Sequence, residues 1–409
     1  MKVESLPVPA QQTQHLLRNW TFCQLWIGNT VSWTGDQFYL VALPWLVLSL
    51  TDSSVILGTI AMLAAIPRAV LMLLGGAVSD RASPRRVLML TAFVRSLLVS
   101  AVAALLFVNK LHLWELYFLA LGFGVADAFS YPAGSALLPT IVEPEQLAAA
   151  NSITQSTMQI TMLVAPGPAG LFIRAFGGAW AFLLDGISFL GIIFALRRLP
   201  DPPGPSTRAV QDGVMRAIAD GIQYVKADVS LRSLVLLIAV LNFALAGPMT
   251  VGLAVIAKHE FGTASSFGLL ISSFAAGSLV GMLCAGFVRY RRRGYILLLA
   301  STMLGFCVAA LGFIGRITIV ASDLLLMSGI AAFLNIQIIA WLQQRVESSL
   351  MGRVMSVLMF ASVGLTPLSL AISGVALKVS VSGTFVSAGA MVLLVTLLAS
   401  SHRALRAID

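Results

Sequence analysis

Apolar runs recur along this chain from Phe22 to Ser400, each about 20 residues long, the length an α-helix needs to cross the hydrocarbon core of a bilayer. Lipid supplies no hydrogen-bond partners, so a spanning segment must be a helix or part of a closed barrel. The runs are continuous rather than alternating, which selects helices. Twelve are expected, at about 21–50, 55–78, 87–108, 113–138, 148–173, 179–196, 233–257, 265–288, 294–314, 318–342, 351–376 and 382–400. Composition agrees: 58% of residues are apolar and 11% are charged, against about 25% charged in a soluble domain. The first run is too long for a cleavable signal peptide and carries Asp36 in its middle.

The net charge of +9 suggests nucleic acid until it is mapped onto the spans. With the N-terminus inside, only Lys110, Arg174, Lys258, Arg316 and Lys378 of the 26 Lys and Arg fall outside, and Arg68 and Arg95 lie within the membrane. That asymmetry places both termini in the cytoplasm. The basic surface then faces anionic lipid headgroups, so nucleic acid is not an expected partner. Cys23, Cys284 and Cys307 all fall in apolar runs and read as small buried side chains. His15, His112, His259 and His402 lie in loops or at helix ends, with no metal-ligand spacing. No GxxxxGK[ST] pattern is present, so energy is expected from an ion gradient or the substrate's own gradient. An intramembrane hydrolase is disfavoured, since no span bears a metal-ligand or catalytic histidine pattern.

The longest polar stretch opens with Asp201-Pro202-Pro203-Gly204-Pro205, which no helix tolerates. An amphipathic helix is expected after it, at about 209–228, lying on the inner leaflet. This stretch divides the chain into a bundle over 1–198, a linker over 199–232 and a bundle over 233–409. The halves echo one another. Gly76…Arg85-Arg86-Val87-Leu88 recurs as Gly286…Arg292-Arg293-Gly294-Tyr295-Ile296. Ala136-Leu137-Leu138, Val142-Glu143 and Leu147 recur as Ala340-Trp341-Leu342, Val346-Glu347 and Leu350. The expected fold is therefore an all-α membrane protein of 12 helices in two pseudo-symmetric six-helix bundles. A parallel repeat of six helices is a transporter plan, with the substrate site near the midplane between the halves.

Ionisable groups inside a span are costly and mark pathways for ions or substrate. Asp36 and Arg68 fall near the midplane, with Arg95 and Asp127 close by, and two pairs are expected: Asp36 with Arg68, and Arg95 with Asp127. Asp36 is the first choice for a proton carrier and Asp127 the second. Asp185 could be a third such site, and is read instead as bonding a neighbouring backbone group. Glu115 and Asp323 lie near outer helix ends and are expected to reach water. The second half has no midplane acid, so it would offer an apolar surface to the cargo. Asn29, Trp33, Gln37, Tyr39, Gln155, Gln159, Asn242, Asn335 and Gln337 are the remaining cavity candidates, alongside Trp26, Phe38, Phe243 and Phe274. Interhelical hydrogen bonding is the competing use of such amides.

The loop Gly75-Gly76-Ala77-Val78-Ser79-Asp80-Arg81-Ala82-Ser83-Pro84-Arg85-Arg86 resembles the signature between helices two and three of the major facilitator superfamily. The resemblance implies that Gly76, Asp80, Arg81, Arg85 and Arg86 form an inner gate latch against the start of the eleventh helix, near Gly352-Arg353. A carboxylate also suits a helix N-terminus on physical grounds. Gly35-Asp36 with Ala42-Leu43-Pro44-Trp45, and Gly124-Val125-Ala126-Asp127-Ala128-Phe129, are similar to the enterobactin exporter and macrolide efflux branch. Ala165-Pro166-Gly167-Pro168-Ala169-Gly170 resembles the superfamily's antiporter motif, and its prolines would bend the fifth span.

The expectation is a secondary transporter of the bacterial inner membrane, with no cofactor and no catalytic residues. It would export a small amphipathic drug, siderophore or similar metabolite by proton antiport, as a monomer among membrane lipids. A lysophospholipid flippase needing no proton is the alternative, because the fourth-helix segment also resembles such transporters.

Overall fold

The computed structural model describes residues 16–81, 83–199, 223, 229–287, 293–313, 315–346 and 348–401. The expected amphipathic helix at 209–228 lies outside them, apart from Gln223. Among the described residues, nine helices are long and apolar enough to cross a membrane. Three further rods complete twelve crossings.

The first four crossings are α1 (Trp20–Thr51), α2 (Ser54–Arg81), α3 (Pro84–Phe107) and α4 (Leu113–Leu137). The fifth is broken into α5 (Leu147–Val164) and α6 (Pro166–Phe176), and the sixth is α7 (Gly178–Arg198). The seventh joins α8 (Val229–Gly247) to α9 (Leu253–His259) through a π-turn at Pro248–Gly252. Then follow α10 (Ala264–Phe287), α11 (Arg293–Ala310) and α12 (Ile317–Arg345). The eleventh crossing is broken into α13 (Ser348–Val363) and α14 (Thr366–Val379), and α15 (Val381–Ser401) ends the series. With an even number of crossings, the described chain begins and ends on one face, here called proximal; the opposite face is distal.

The breaks have sequence causes. Proline has no N–H to donate and crowds the preceding turn. Pro166 opens α6, Pro248 opens the π-turn, and Pro367 sits in the first turn of α14. The breaks in the fifth and eleventh crossings occupy matching places in the two halves.

Packing repeats in the same way. The second and fourth crossings meet backbone to side, with Gly124 against the Ala64 carbonyl, and the eighth and tenth meet with Gly281 against the Gly329 carbonyl. The third and sixth join where Ser96 Oγ donates to the Gly186 carbonyl at 2.7 Å; the ninth and twelfth join at Gly305 and Gly389. Small residues let helices approach where lipid supplies no hydrophobic drive. Large apolar side chains accordingly point outward, as at Trp114, Phe118, Phe306 and Leu397, while Ser32, Ser96, Ser188, Ser328 and Ser369 are buried.

The halves touch closely on the distal side. Ser54 Oγ donates to the Gly374 carbonyl at 2.8 Å, and Gly58 lies against Leu370 and Gly374. Opposite them, the Gly167 N–H donates to Ser272 Oγ at 3.0 Å, and Gly170 lies against Ala264. At the rim, Lys258 Nζ donates to Ser49 Oγ at 3.1 Å and sits over the Trp45 ring, while His259 Nε2 lies 2.9 Å from Asp52 Oδ1.

The Gly58 contact admits a direct test. A Cβ there would stand 2.7 Å from the Leu370 carbonyl oxygen and 2.9 Å from the Gly374 Cα, both backbone atoms that cannot swing aside. Gly58→Val is expected to prise the distal face open. In a chain with Cys23, Cys284 and Cys307 replaced and the buried Ser54 changed to Cys, impermeant maleimide labelling at position 54 should rise when Gly58→Val is added. Unchanged labelling would show that this contact does not set the closure.

Candidate functional site

A cavity of about 470 Å³ opens among the first six crossings, within the size range of small-molecule sites. Its lining runs from Phe22 to Asp36 on α1, from Leu88 to Arg95 on α3, from Asp127 to Leu137 on α4 and from Asn151 to Met158 on α5, with Arg68 of α2 and Phe189 and Ile192 of α7. Except for the mid-depth Asp36 and Arg68, these residues belong to the proximal halves of their helices. The cavity therefore lies on the proximal side, away from the distal closure.

Charge is concentrated at its deep end. Arg95 forms an ion pair with Asp127 through Nη2, and its Nη1 lies 4.0 Å from Asp36 Oδ1. The guanidinium also sits over the rings of Phe123, at 5.5 Å, and Phe189, at 5.7 Å. A planar, delocalised cation can serve two carboxylates and two aromatic faces at once, which an ammonium does less well. Tyr39 does not line the cavity; it stacks on Phe123 at 4.3 Å and so buttresses the ring under Arg95. The expected pairing of Arg95 with Asp127 is present. Asp36 lies against Arg95 rather than Arg68, because the facing sides of α1 and α3 turn these two residues together. Arg68 is exposed, lines the cavity and makes no ion pair among the described residues.

Of the other cavity candidates, Trp26, Asn29, Trp33 and Gln155 line the space. Gln37 is buried in packing. Gln159 Nε2 donates to Met282 Sδ at 3.6 Å, tying the fifth crossing to the eighth. Asn242 Nδ2 donates to the Ile238 carbonyl of its own helix, and Gln337 Nε2 reaches the Ala285 carbonyl at 3.5 Å. Asn335 is exposed outside this cavity. Sequence reasoning missed Thr91, Ser130, Tyr131, Asn151 and Thr154, which supply much of the neutral polar lining. Thr91 lies four residues before Arg95, Ser130 three after Asp127 and Asn151 four before Gln155, and that same-face spacing from residues already singled out was the available signal.

The readings of Asp185 and Asp323 change, and that of Glu115 gains a partner. Asp185 is fully buried, and neither carboxylate oxygen has a hydrogen-bond partner, so it does not bond a neighbouring backbone group. Asp323 does not simply reach water: its Oδ2 is buried without a partner. Glu115 caps its own helix, accepting from the His112 N–H at 2.5 Å.

At the latch, Gly76, Asp80 and Arg81 lie in the last turns of α2 and Arg353 in α13, but their side chains fall outside the described residues. Arg85 Nε donates to the Leu196 carbonyl at 2.6 Å and Nη2 to the Arg197 carbonyl at 3.1 Å. It thereby satisfies carbonyls at the C-terminus of α7, where a cation suits the helix dipole. Arg86 is exposed.

Comparison with known proteins fits this architecture. The family model described as transmembrane secretion effector matches residues 13–409. The chain belongs to that family of major facilitator transporters. It is 27% identical over 393 residues to the multidrug efflux pump Tap of Mycolicibacterium fortuitum, covering 92% of this chain and 94% of Tap. Macrolide efflux protein A of Streptococcus pyogenes is 22% identical, covering 96% of this chain and 98% of that protein. The solved nucleoside transporter NupG, as its D323A mutant, superposes with a TM-score of 0.75 at 13% identity, over 93% of this chain and 99% of NupG, a likeness of fold. The protein is thus a multi-pass secondary transporter and not an enzyme.

Proposed function

We propose that this transporter exports a small amphipathic compound, such as a drug or siderophore-like metabolite, in exchange for protons. The observation that carries the reading is the cavity itself: two acids share one arginine at the end of a polar and aromatic pocket closed on the distal side. Asp36 carries the proton, Asp127 is its partner through Arg95, and Arg68 supplies positive potential from across the cavity. Trp33, Asn29 and Gln155 meet the cargo. The efflux names of Tap and macrolide efflux protein A support an outward direction and an amphipathic cargo.

The Lys and Arg asymmetry supports a bacterial cytoplasmic membrane with both termini in the cytoplasm. The proximal cavity then faces the cytoplasm, ready to load. Bundles over 1–198 and 233–409 rock about the 199–232 linker to alternate access. In the opposite state Asp80 and Arg81, with Gly76 allowing close approach, meet Arg353 to shut the cytoplasmic side, while Arg85 and Arg86 hold the loop at the membrane surface. The working unit is a monomer among lipids.

The test is ethidium transport by purified protein in liposomes. An imposed proton gradient should drive uphill ethidium movement, and a protonophore should stop it. Uphill movement that ignores the protonophore would overturn proton antiport, and absence of any flux from ethidium through macrolides to lysolipids would overturn export.

A further inference from the structure

Asp185 sits in α7 with no exposed surface and with neither carboxylate oxygen hydrogen-bonded. The neighbouring Ser188 Oγ donates in this conformation to the Asp185 backbone carbonyl, at 2.7 Å, rather than to the carboxylate. An ionised carboxylate held this way costs several kcal/mol even after relaxation, and the usual outcome is neutralisation. Space for the side chain exists because residue 35 is glycine: a Cβ there would stand 2.9 Å from Asp185 Oδ1. The charged and titratable groups facing it are Asp36 and Tyr39 from α1 and Arg95 from α3.

Arg95 carries the matching vacancy. Its Nη atoms serve Asp127 and Asp36, yet its Nε is buried with no partner. One guanidinium is thus set among three carboxylates, and the one it does not serve is the one with no other partner.

We propose that Asp185 is a second proton-carrying acid of this transporter, protonated in the conformation described here, which takes Arg95 as its ion partner when its proton leaves. This rests on the proton-antiport reading. The proton passes from the Asp185 carboxyl to the Asp36 carboxylate and on to cavity water. The negative charge left on Asp185 draws Arg95 away from Asp127, coupling proton release to a shift of α3 against α4 and α7.

Infrared difference spectroscopy of the full chain in lipid nanodiscs tests this without cargo or gradient. Near neutral pH, the wild-type spectrum should contain the carbonyl stretch of a protonated carboxylic acid that Asp185→Asn removes and that Asp36→Asn and Asp127→Asn retain. Asp185→Glu should move that stretch rather than delete it, which keeps the assignment testable should the Asn variant fold poorly. An Asp185→Asn spectrum with the stretch intact, or a wild-type spectrum without it, overturns the proposal. In liposomes, Asp185→Asn should lose proton-driven ethidium movement while keeping downhill ethidium flux. Driven movement at the wild-type level would overturn the carrier role. Wild-type pumping that ignores a protonophore would instead sink the antiport reading, so the two failures are told apart.

Discussion

Asp36→Asn should reduce proton-driven ethidium movement to the level of protein-free liposomes while the chain still folds. The amide has nearly the shape of the carboxylate, so packing around α1 is preserved. It cannot gain or lose a proton, and it gives Arg95 a neutral neighbour in place of a charged one. Asp127 still holds Arg95, so the fold loses the longer and weaker of its two ties, at 4.0 Å. Asp36 is also part-exposed to the cavity, so its pair with Arg95 contributes modestly to stability. The expected signature is a melting temperature near that of wild type with driven transport abolished and downhill exchange retained. Wild-type pumping by this variant would remove Asp36 from the coupling role.

Arg95→Ala should damage both folding and transport. The side chain is 13% exposed, pairs with Asp127, neighbours Asp36 and lies over Phe123 and Phe189. Removing it strands two carboxylates in a weakly hydrated place and opens a gap above two rings. Breaking a buried pair from one side costs about 3–5 kcal/mol. Both acids reach the cavity, so about 2 kcal/mol or more is expected here. The variant should melt well below wild type in detergent and show no driven transport. Arg95→Lys should recover part of the stability, because the charge remains, and little of the transport, because a point charge cannot bridge two acids or lie flat on two rings. Equal recovery of both by Lys would indicate that charge alone matters at this position.

The crossings were legible to within a few residues. The run expected at 113–138 is Leu113–Leu137, and that at 382–400 is Val381–Ser401. Hydrophobic length is a local property, and the bilayer enforces it segment by segment. The bend in the fifth crossing was legible from Pro166 and Pro168. The break before Thr366 and the π-turn at Pro248 were not foreseen, although a proline marks each. Identifying Asp36, Arg68, Arg95 and Asp127 as cavity residues needed only their misfit with lipid, and all four line the cavity. Which acid met which arginine depended on how α1, α3 and α4 are rotated, and an apolar helix in lipid carries a weak record of rotation because its outer and inner faces are both greasy.

By itself, then, the sequence determined the solvent, the number of crossings, their order and the superfamily, because lipid acts on every segment directly through length and apolarity. Tertiary structure alone decided that the cavity sits within the first half, that Arg95 rather than Arg68 serves Asp36, and that Asp185 stands without a partner. Those outcomes follow from close approaches such as Gly35 beside Asp185 and Ser96 on the Gly186 carbonyl, which join residues about 90 to 150 positions apart. Contacts between such distant small residues set helix rotation in a membrane, and rotation decides which buried charge finds a partner.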